Sequence, residues 1–174
     1  MFMIRSAQPG DASGIDGVHR QAFPTDAEAR LVALLISRGQ DRVSLVAEAL
    51  GQVVGHVLFS RATIEWPARR ALDGLGLAPL AVLPDWQRRG VGSALMRAGM
   101  ETCRLLAVPF VVLVGHPEYY PRFGFVPAGR YGLTCDFGSG DSFQVAVFDE
   151  ASFASGGVVR YAPEFYELFA PPTE

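Results

Sequence analysis

Residues 80–95 read Leu80-Ala81-Val82-Leu83-Pro84-Asp85-Trp86-Gln87-Arg88-Arg89-Gly90-Val91-Gly92-Ser93-Ala94-Leu95, and this stretch decides the fold. An apolar run beginning at Leu72 is stopped by Pro84, so the pattern predicts a strand over Leu72–Val82 that enters a turn. Gly90 and Gly92 then open a helix predicted from Val91 to about Leu106, with Leu95, Cys103 and Leu106 on or near one face. Glycines at such a junction let the backbone approach a ligand closely. The N–H groups of the first helical turn, with a partial charge of roughly +0.5, favour a phosphate there. Arg88 and Arg89 add positive charge beside it. A plain strand-to-helix turn flanked by solvated arginines accounts for the same residues, and for an isolated G-x-G it is the better reading. Two phosphate loops do not fit: G-x-G-x-x-G would need Gly or Ala at Leu95, and a P-loop would need Gly-Lys followed by Ser or Thr.

Working outward, Phe2–Ser6 is predicted as a strand, and Pro9-Gly10-Asp11 as a turn with Asp11 capping a helix over Ala12–Ala22. Pro24 interrupts the pattern. Thr25-Asp26-Ala27-Glu28 has the capping-box form, and a second helix with Leu31, Leu34 and Leu35 runs to about Ser37. Val43–Leu50 and Val53–Arg61, separated by Gly51-Gln52, predict an antiparallel hairpin. Phe110–Val114 is a continuous apolar run and therefore a buried strand. A Tyr-rich turn at Glu118–Arg122, a strand near Phe125, a Gly-rich loop over Gly129–Gly140 and a strand over Phe143–Phe148 follow. This order predicts a mixed α/β fold without repeats.

At 174 residues, 49% hydrophobic and 19% charged, the chain is expected to form one domain over 1–174. Lys+Arg 15 against Asp+Glu 18 gives a net charge of −3, which disfavours nucleic acid as a partner. The 12 Phe, 5 Tyr and 2 Trp exclude disorder. Cys103 and Cys135 form no disulfide framework and have no metal-ligand spacing to His19, His56 or His116. A reduced, cytoplasmic setting without a bound metal is expected. The N-terminus lacks a signal-like apolar core, and every apolar run is interrupted below membrane-spanning length, so no membrane partner is expected.

Gln87-Arg88-Arg89-Gly90-Val91-Gly92 matches the Q/R-x-x-G-x-G/A signature of the GNAT superfamily of acetyl-CoA-dependent N-acetyltransferases, and here it follows a strand and opens a helix. Tyr120-Pro121-Arg122-Phe123-Gly124-Phe125 fits that family's Y-x-x-x-G-F. With Val159-Arg160-Tyr161-Ala162-Pro163-Glu164-Phe165 near the C-terminus, the chain resembles the YhbS-type predicted acetyltransferases of that superfamily. The resemblance covers nearly the whole chain. It implies a GNAT-like, mostly antiparallel mixed sheet whose central strands splay apart, flanked by helices. It further implies acetyl-CoA as donor and an amine of a small molecule or peptide as acceptor.

By the same resemblance, Leu80, Ala81 and Val82 offer backbone groups to pantetheine, with the Val82 N–H as an oxyanion donor. Arg88, Arg89, Gly90, Val91, Gly92 and Ser93 surround the pyrophosphate. Tyr120 stands at the general-acid position, chosen over Tyr119 because it has the four-residue offset to Gly124. An ammonium of pKa near 10.4 must be neutralised before it attacks, at about 4.6 kcal/mol at pH 7, so a base or a desolvating site is needed. His116, just past the fifth strand, is a candidate base and equally a loop histidine; Glu118 is another candidate, while Glu65 and Asp73 border the acceptor side. His56, in an alternating strand, reads as structural. Some family members carry a Glu on the fifth strand, where Val111, Val112, Leu113 and Val114 stand here. The implied acceptor segments, Phe23–Arg30 and Gly129–Phe153, carry both charge signs and select no substrate class. The tail Tyr161–Phe169 either lines the acceptor mouth or packs on a neighbouring subunit of a homodimer. A non-catalytic acyl-CoA-binding sensor, and a longer acyl donor, remain as alternatives.

Overall fold

The computed structural model describes residues 1–169. The elements in chain order are β1 (Met3–Ser6), α1 (Ala12–Ala22), α2 (Ala27–Ser37), β2 (Asp41–Ala49), β3 (Gln52–Trp66), β4 (Arg69–Val82), α3 (Val91–Leu105), β5 (Phe110–Val114), β6 (Val126–Pro127), β7 (Thr134–Cys135), β8 (Phe143–Val147), β9 (Val158–Tyr161) and α4 (Pro163–Leu168). The strands form a nine-stranded sheet in the order β1-β2-β3-β4-β5-β8-β6, with β9 paired to β3 and β7 to β9. The sheet is mostly antiparallel; β4 with β5 and β7 with β9 are parallel. No helix among the described residues is long and apolar enough to cross a membrane. The chain divides into two compact units, one of Met1–Ser60 with Ala78–Cys103, the other of Arg61–Leu77 with the chain from Arg104 onward. The long strands β3 and β4 give a segment to each.

In the first unit, β1 pairs with β2 from Met3 opposite Glu48 to Ser6 opposite Leu45, and β2 pairs with β3. The hairpin turn falls on Leu50-Gly51 rather than on Gly51-Gln52, with φ of 51° and 73°. Two left-handed residues in succession match the strand twist of a two-residue hairpin. Helix α1 buries Ile15, Val18 and His19, and α3 buries Val91, Leu95, Met96, Gly99, Met100 and Cys103. Close seating of α3 depends on glycine. A Cβ at Gly55 would lie 3.0 Å from Leu95 Cδ1 and Val91 Cγ1, and one at Gly99 would lie 2.5 Å from the Phe59 ring. Leu106 is not on the inner face: α3 ends at Leu105, the chain turns at Ala107 with φ of 55°, and Leu106 is 58% exposed.

Both helix starts differ from their sequence patterns. Asp11 occupies the cap position of α1 but makes no side-chain cap bond. Its carboxylate is gripped by the Arg5 guanidinium at 2.7 and 2.8 Å and accepts the Gln8 N–H at 2.7 Å. The Arg5 hydrogen bonds hold its pKa down at about 2. Helix α2 starts after Asp26; Thr25 Oγ1 accepts only the Ala27 N–H at 3.4 Å, and the Glu28 carboxylate does not close a capping box.

A buried polar chain crosses this unit. His19 Nε2 lies 2.8 Å from His56 Nδ1, and His56 Nε2 lies 2.9 Å from Ser44 Oγ. Both imidazoles are fully buried, so His56 is structural, as its strand pattern indicates. Burial lowers the pKa of His19 to about 4; burial and the neighbouring His19 lower that of His56 to about 3.

In the second unit, β8 pairs antiparallel with β5 from Phe110 opposite Val147 to Val114 opposite Phe143, and β6 adds to the outside of β8. Strand β9 pairs with β3 from Ala62 opposite Tyr161 to Glu65 opposite Val158. The first strand of this unit extends to Trp66 and β4 begins at Arg69, so the turn is shorter and both strands are longer than predicted. The Gly-rich loop holds β7, and β9 and α4 follow where the sequence pattern marks no element.

Candidate active site

In the first unit, the extended backbone of β4 sends successive polar groups to opposite edges. The Leu83 N–H donates to the Val54 carbonyl of β3 at 2.9 Å, so Val82 and Leu80 direct theirs to the other edge. After Val82 the chain takes a short turn, with Trp86 N–H on the Leu83 carbonyl at 2.8 Å and Gln87 N–H on the Pro84 carbonyl at 3.2 Å. Gln87 Nε2 donates to the Val82 carbonyl at 3.0 Å and ties the loop to the strand end. Arg88 and Gly90 adopt left-handed conformations, φ 59° and 84°. The exposed Arg89 guanidinium lies over the Trp86 ring, 5.6 Å from its centroid. Helix α3 then begins, and Ala94 N–H donates to the Gly90 carbonyl at 2.9 Å. The N–H groups of Val91, Gly92 and Ser93 precede the first carbonyl that a helix can offer them, as at any helix start. The sequence-predicted residues Leu80, Ala81, Val82, Arg88, Arg89, Gly90, Val91, Gly92 and Ser93 thus fall in one strand–turn–helix segment. A separate cavity of about 390 Å³ in this unit is lined by Asp11, Gly14, Gln21, Val53 and Leu83 among others, and by none of these residues.

In the second unit, the parallel pairing of β4 with β5 is confined to Leu75 with Val111 and Gly76 with Val112, although β4 runs on to Val82. Past β5 the chain makes a single 3₁₀ turn over Tyr120–Phe123, ended by Gly124 at φ 94°. Tyr119 packs on Phe123, 5.4 Å between ring centroids, with the Arg122 guanidinium 4.6 Å from its ring centroid and Arg122 Nε donating to its carbonyl at 2.9 Å. Tyr120 packs inward. Its ring meets Tyr119 and Phe125 edge-on at 5.0 and 6.0 Å, and a Cβ on Gly115 would lie 2.5 Å from its Cε2. Burial, with a smaller push from Tyr119, raises its pKa to about 12.

The candidate bases divide. His116 and Glu118 are exposed on the same turn as Tyr120. Asp73 is held by Thr63 Oγ1 at 2.9 Å and Arg61 at 3.1 Å, which lower its pKa, and Glu65 pairs with Arg160 at 3.3 Å. Two residues escaped the sequence reading. In the sequence Gln87 is only a motif letter, and its side-chain bond to the Val82 carbonyl forms once the loop is folded. Gln144, 1% exposed on β8, carries Nε2 3.4 Å from the Gly115 carbonyl and 3.5 Å from the His116 carbonyl. A lone Gln in an apolar strand was the available signal.

A helix that opens after a glycine, and two parallel strands that pair only briefly, are the features that the sequence resemblance implies for an acetyltransferase class of fold. The Acetyltransferase (GNAT) domain matches residues 40–127. The chain is 43% identical over 139 residues to the uncharacterized N-acetyltransferase YjhQ of Escherichia coli (strain K12), across 78% of this chain and 76% of YjhQ. It is 36% identical over 167 residues to the uncharacterized N-acetyltransferase YhbS of the same strain, across 94% and 98%. The crystal structure of Escherichia coli YhbS in complex with CoA superposes with a TM-score of 0.87 at 33% identity, over 99% of this chain and 96% of that one. A GNAT family acetyltransferase from Brucella melitensis in complex with acetyl-CoA gives 0.77 at 32%, over 95% and 98%. The chain belongs to the GNAT acetyltransferase family.

Proposed function

We propose that this protein is an N-acetyltransferase of a single catalytic domain that uses acetyl-CoA to acetylate a primary amine of a small molecule or peptide, by direct attack on the thioester. The observation that carries the reading is the Gln87–Ser93 segment, in which a left-handed loop delivers the first-turn N–H groups of α3 next to Arg88 and Arg89. That donor set suits a pyrophosphate. The CoA-bound YhbS structure and the acetyl-CoA-bound Brucella melitensis structure support it.

When bound, acetyl-CoA supplies an activated acetyl thioester. The backbone of Leu80 and Val82, whose polar groups face the edge away from β3, holds the pantetheine amides, Ala81 turns its own groups toward β3 instead, and Arg88 to Ser93 hold the pyrophosphate. The Val82 N–H polarises the acetyl carbonyl. Tyr120 donates a hydrogen bond to the sulfur as it leaves. With a phenol near 12 and a thiol near 8.5, completed proton transfer is uphill by about 5 kcal/mol, so the hydrogen bond itself is the contribution. We assign removal of the ammonium proton to His116, whose exposed ring can pass it to solvent. Titration with CoA by calorimetry, and thiol release from acetyl-CoA over a panel of primary amines, test the reading. Saturable CoA binding and amine-dependent release are expected. Absence of CoA binding overturns the donor assignment; binding without release on any amine leaves a sensor and overturns the catalytic one.

A further inference from the structure

We propose that Gln144 is a positioning residue for Tyr120: through the Gly115 and His116 carbonyls it fixes the peptide surface on which the Tyr120 ring rests. The inference builds on the role assigned to Tyr120 above.

Gln144 lies on β8, opposite Leu113 of β5 and Pro127 of β6. Its neighbours Phe143, Val145 and Ala146 are buried and apolar, so packing alone would be met by an aliphatic side chain. Burying an amide is unfavourable unless it finds partners. The partners are the carbonyls where the chain leaves β5. The Gly115 N–H still donates to the Ser142 carbonyl at 2.9 Å, but the chain then turns away from the sheet. The Gln144 amide offers two N–H donors on one nitrogen, which lies within 3.5 Å of both successive carbonyls. The His116 carbonyl also receives the Tyr119 N–H at 3.1 Å, so the same peptide anchors the residue before Tyr120.

What rests on this clamped segment is the Tyr120 ring. It touches Gly115 so closely that a Cβ there would sit 2.5 Å from Cε2 and 3.3 Å from Cζ. On its other sides the ring meets Tyr119 and Phe125 edge-on, at 5.0 and 6.0 Å between centroids. Gly115 is the floor: its N–H is held by the Ser142 carbonyl at 2.9 Å, and on its carbonyl side the Gln144 amide at 3.4 Å completes the hold. A displacement of about 1 Å in a group that must meet a reacting atom can reduce a rate by up to roughly 100-fold.

The test uses Gln144→Met, which keeps length and shape and removes both donors. Three quantities are measured: the NMR shift of the Gly115 α-protons, which the Tyr120 ring current displaces; CoA affinity; and kcat with acetyl-CoA and the best amine of the panel. In the parent background, the Gly115 ring-current shift should collapse and kcat should fall roughly 10-fold, with CoA affinity within about twofold. In a Tyr120→Phe background, the added Gln144→Met change should lower kcat by less than about twofold, because a residue acting through the phenol has nothing left to position. An unchanged Gly115 shift, or an equal fall of kcat in both backgrounds, overturns the proposal. If Tyr120→Phe itself leaves kcat unchanged, the acid assignment fails separately, and the Gly115 shift still decides whether Gln144 holds the ring. Should Gln144→Met not fold, Gln144→Asn, which draws the amide back by one methylene, takes its place in the same measurements.

Discussion

The Gln87–Ser93 loop of the first unit and the Gly115–Phe125 turn of the second carry the proposed chemistry by opposite means. The loop is exposed, and its working groups are main-chain N–H donors aimed by left-handed residues at Arg88 and Gly90. The turn places one side chain, Tyr120, against a glycine peptide and two aromatic rings. A backbone site survives side-chain change and fails when its φ angles are denied. A side-chain site fails on the loss of one hydroxyl, or of what aims it. The units also differ in how they bury titratable groups, since the first fully buries the His19–His56 pair and the second only half-buries the Tyr120 phenol.

That last difference gives the largest expected effect. With folded pKa values depressed to about 4 and 3 below an unfolded value near 6.5, the unfolded chain binds more protons than the folded one in that window. Stability conferred by the neutral pair is therefore present above pH 6.5 and is lost as the pH falls, by about 3 kcal/mol at pH 4 for His19 alone. Asp11, depressed to about 2, loses its stabilisation in the same direction at lower pH. Hydrogen exchange at pH 7 and 4.5, corrected for intrinsic rates, should show α1, β2 and the start of β3 losing protection before β5 and β8. Equal loss in both units would remove the contrast.

Tyr120→Phe comes next. It should lower kcat about 100-fold while CoA affinity stays within about twofold, because the lost hydroxyl donates a hydrogen bond only to the charge developing on the departing sulfur. Unchanged turnover takes Tyr120 out of the chemistry. Gly90→Val should do the reverse. A β-branched residue at φ 84° is strained by on the order of 2 kcal/mol, which the loop relieves by abandoning its aim, so CoA binding weakens roughly 30-fold in calorimetry. Parent-like affinity in Gly90→Val would mean that the loop does not hold the pyrophosphate through its backbone.

The two sites were unequally legible in the sequence for the same physical reason. Aiming a backbone demands glycine and a proline stop, so Pro84, Gly90 and Gly92 mark the loop in the residue letters. Aiming Tyr120 demands contacts from β5 and β8, and of these only the Gly124 offset leaves a local trace. Gln144 lies far along the chain and matters only once β8 has paired with β5. The elements follow suit. Helix α1 and strand β5 fall within their predicted limits because periodicity and breakers are local, whereas β9 is a strand only by virtue of pairing with β3 and β7. The sequence pattern makes Asp11 a side-chain cap, but its carboxylate goes instead to Arg5, which β1 supplies.

The smallest effect is the sharpest test of the contrast between backbone and side chain. The Gln87 side chain ties the loop to β4 through an exposed hydrogen bond to the Val82 carbonyl. Such a bond contributes on the order of 1 kcal/mol, so Gln87→Leu should weaken CoA binding roughly fivefold and leave kcat at saturation unchanged. No change at all would make the loop a site of main chain alone. A loss as large as that in Gly90→Val would mean that the loop, like the Tyr120 turn, is aimed by a buttressing amide, with Gln87 serving the loop as Gln144 is proposed to serve the turn.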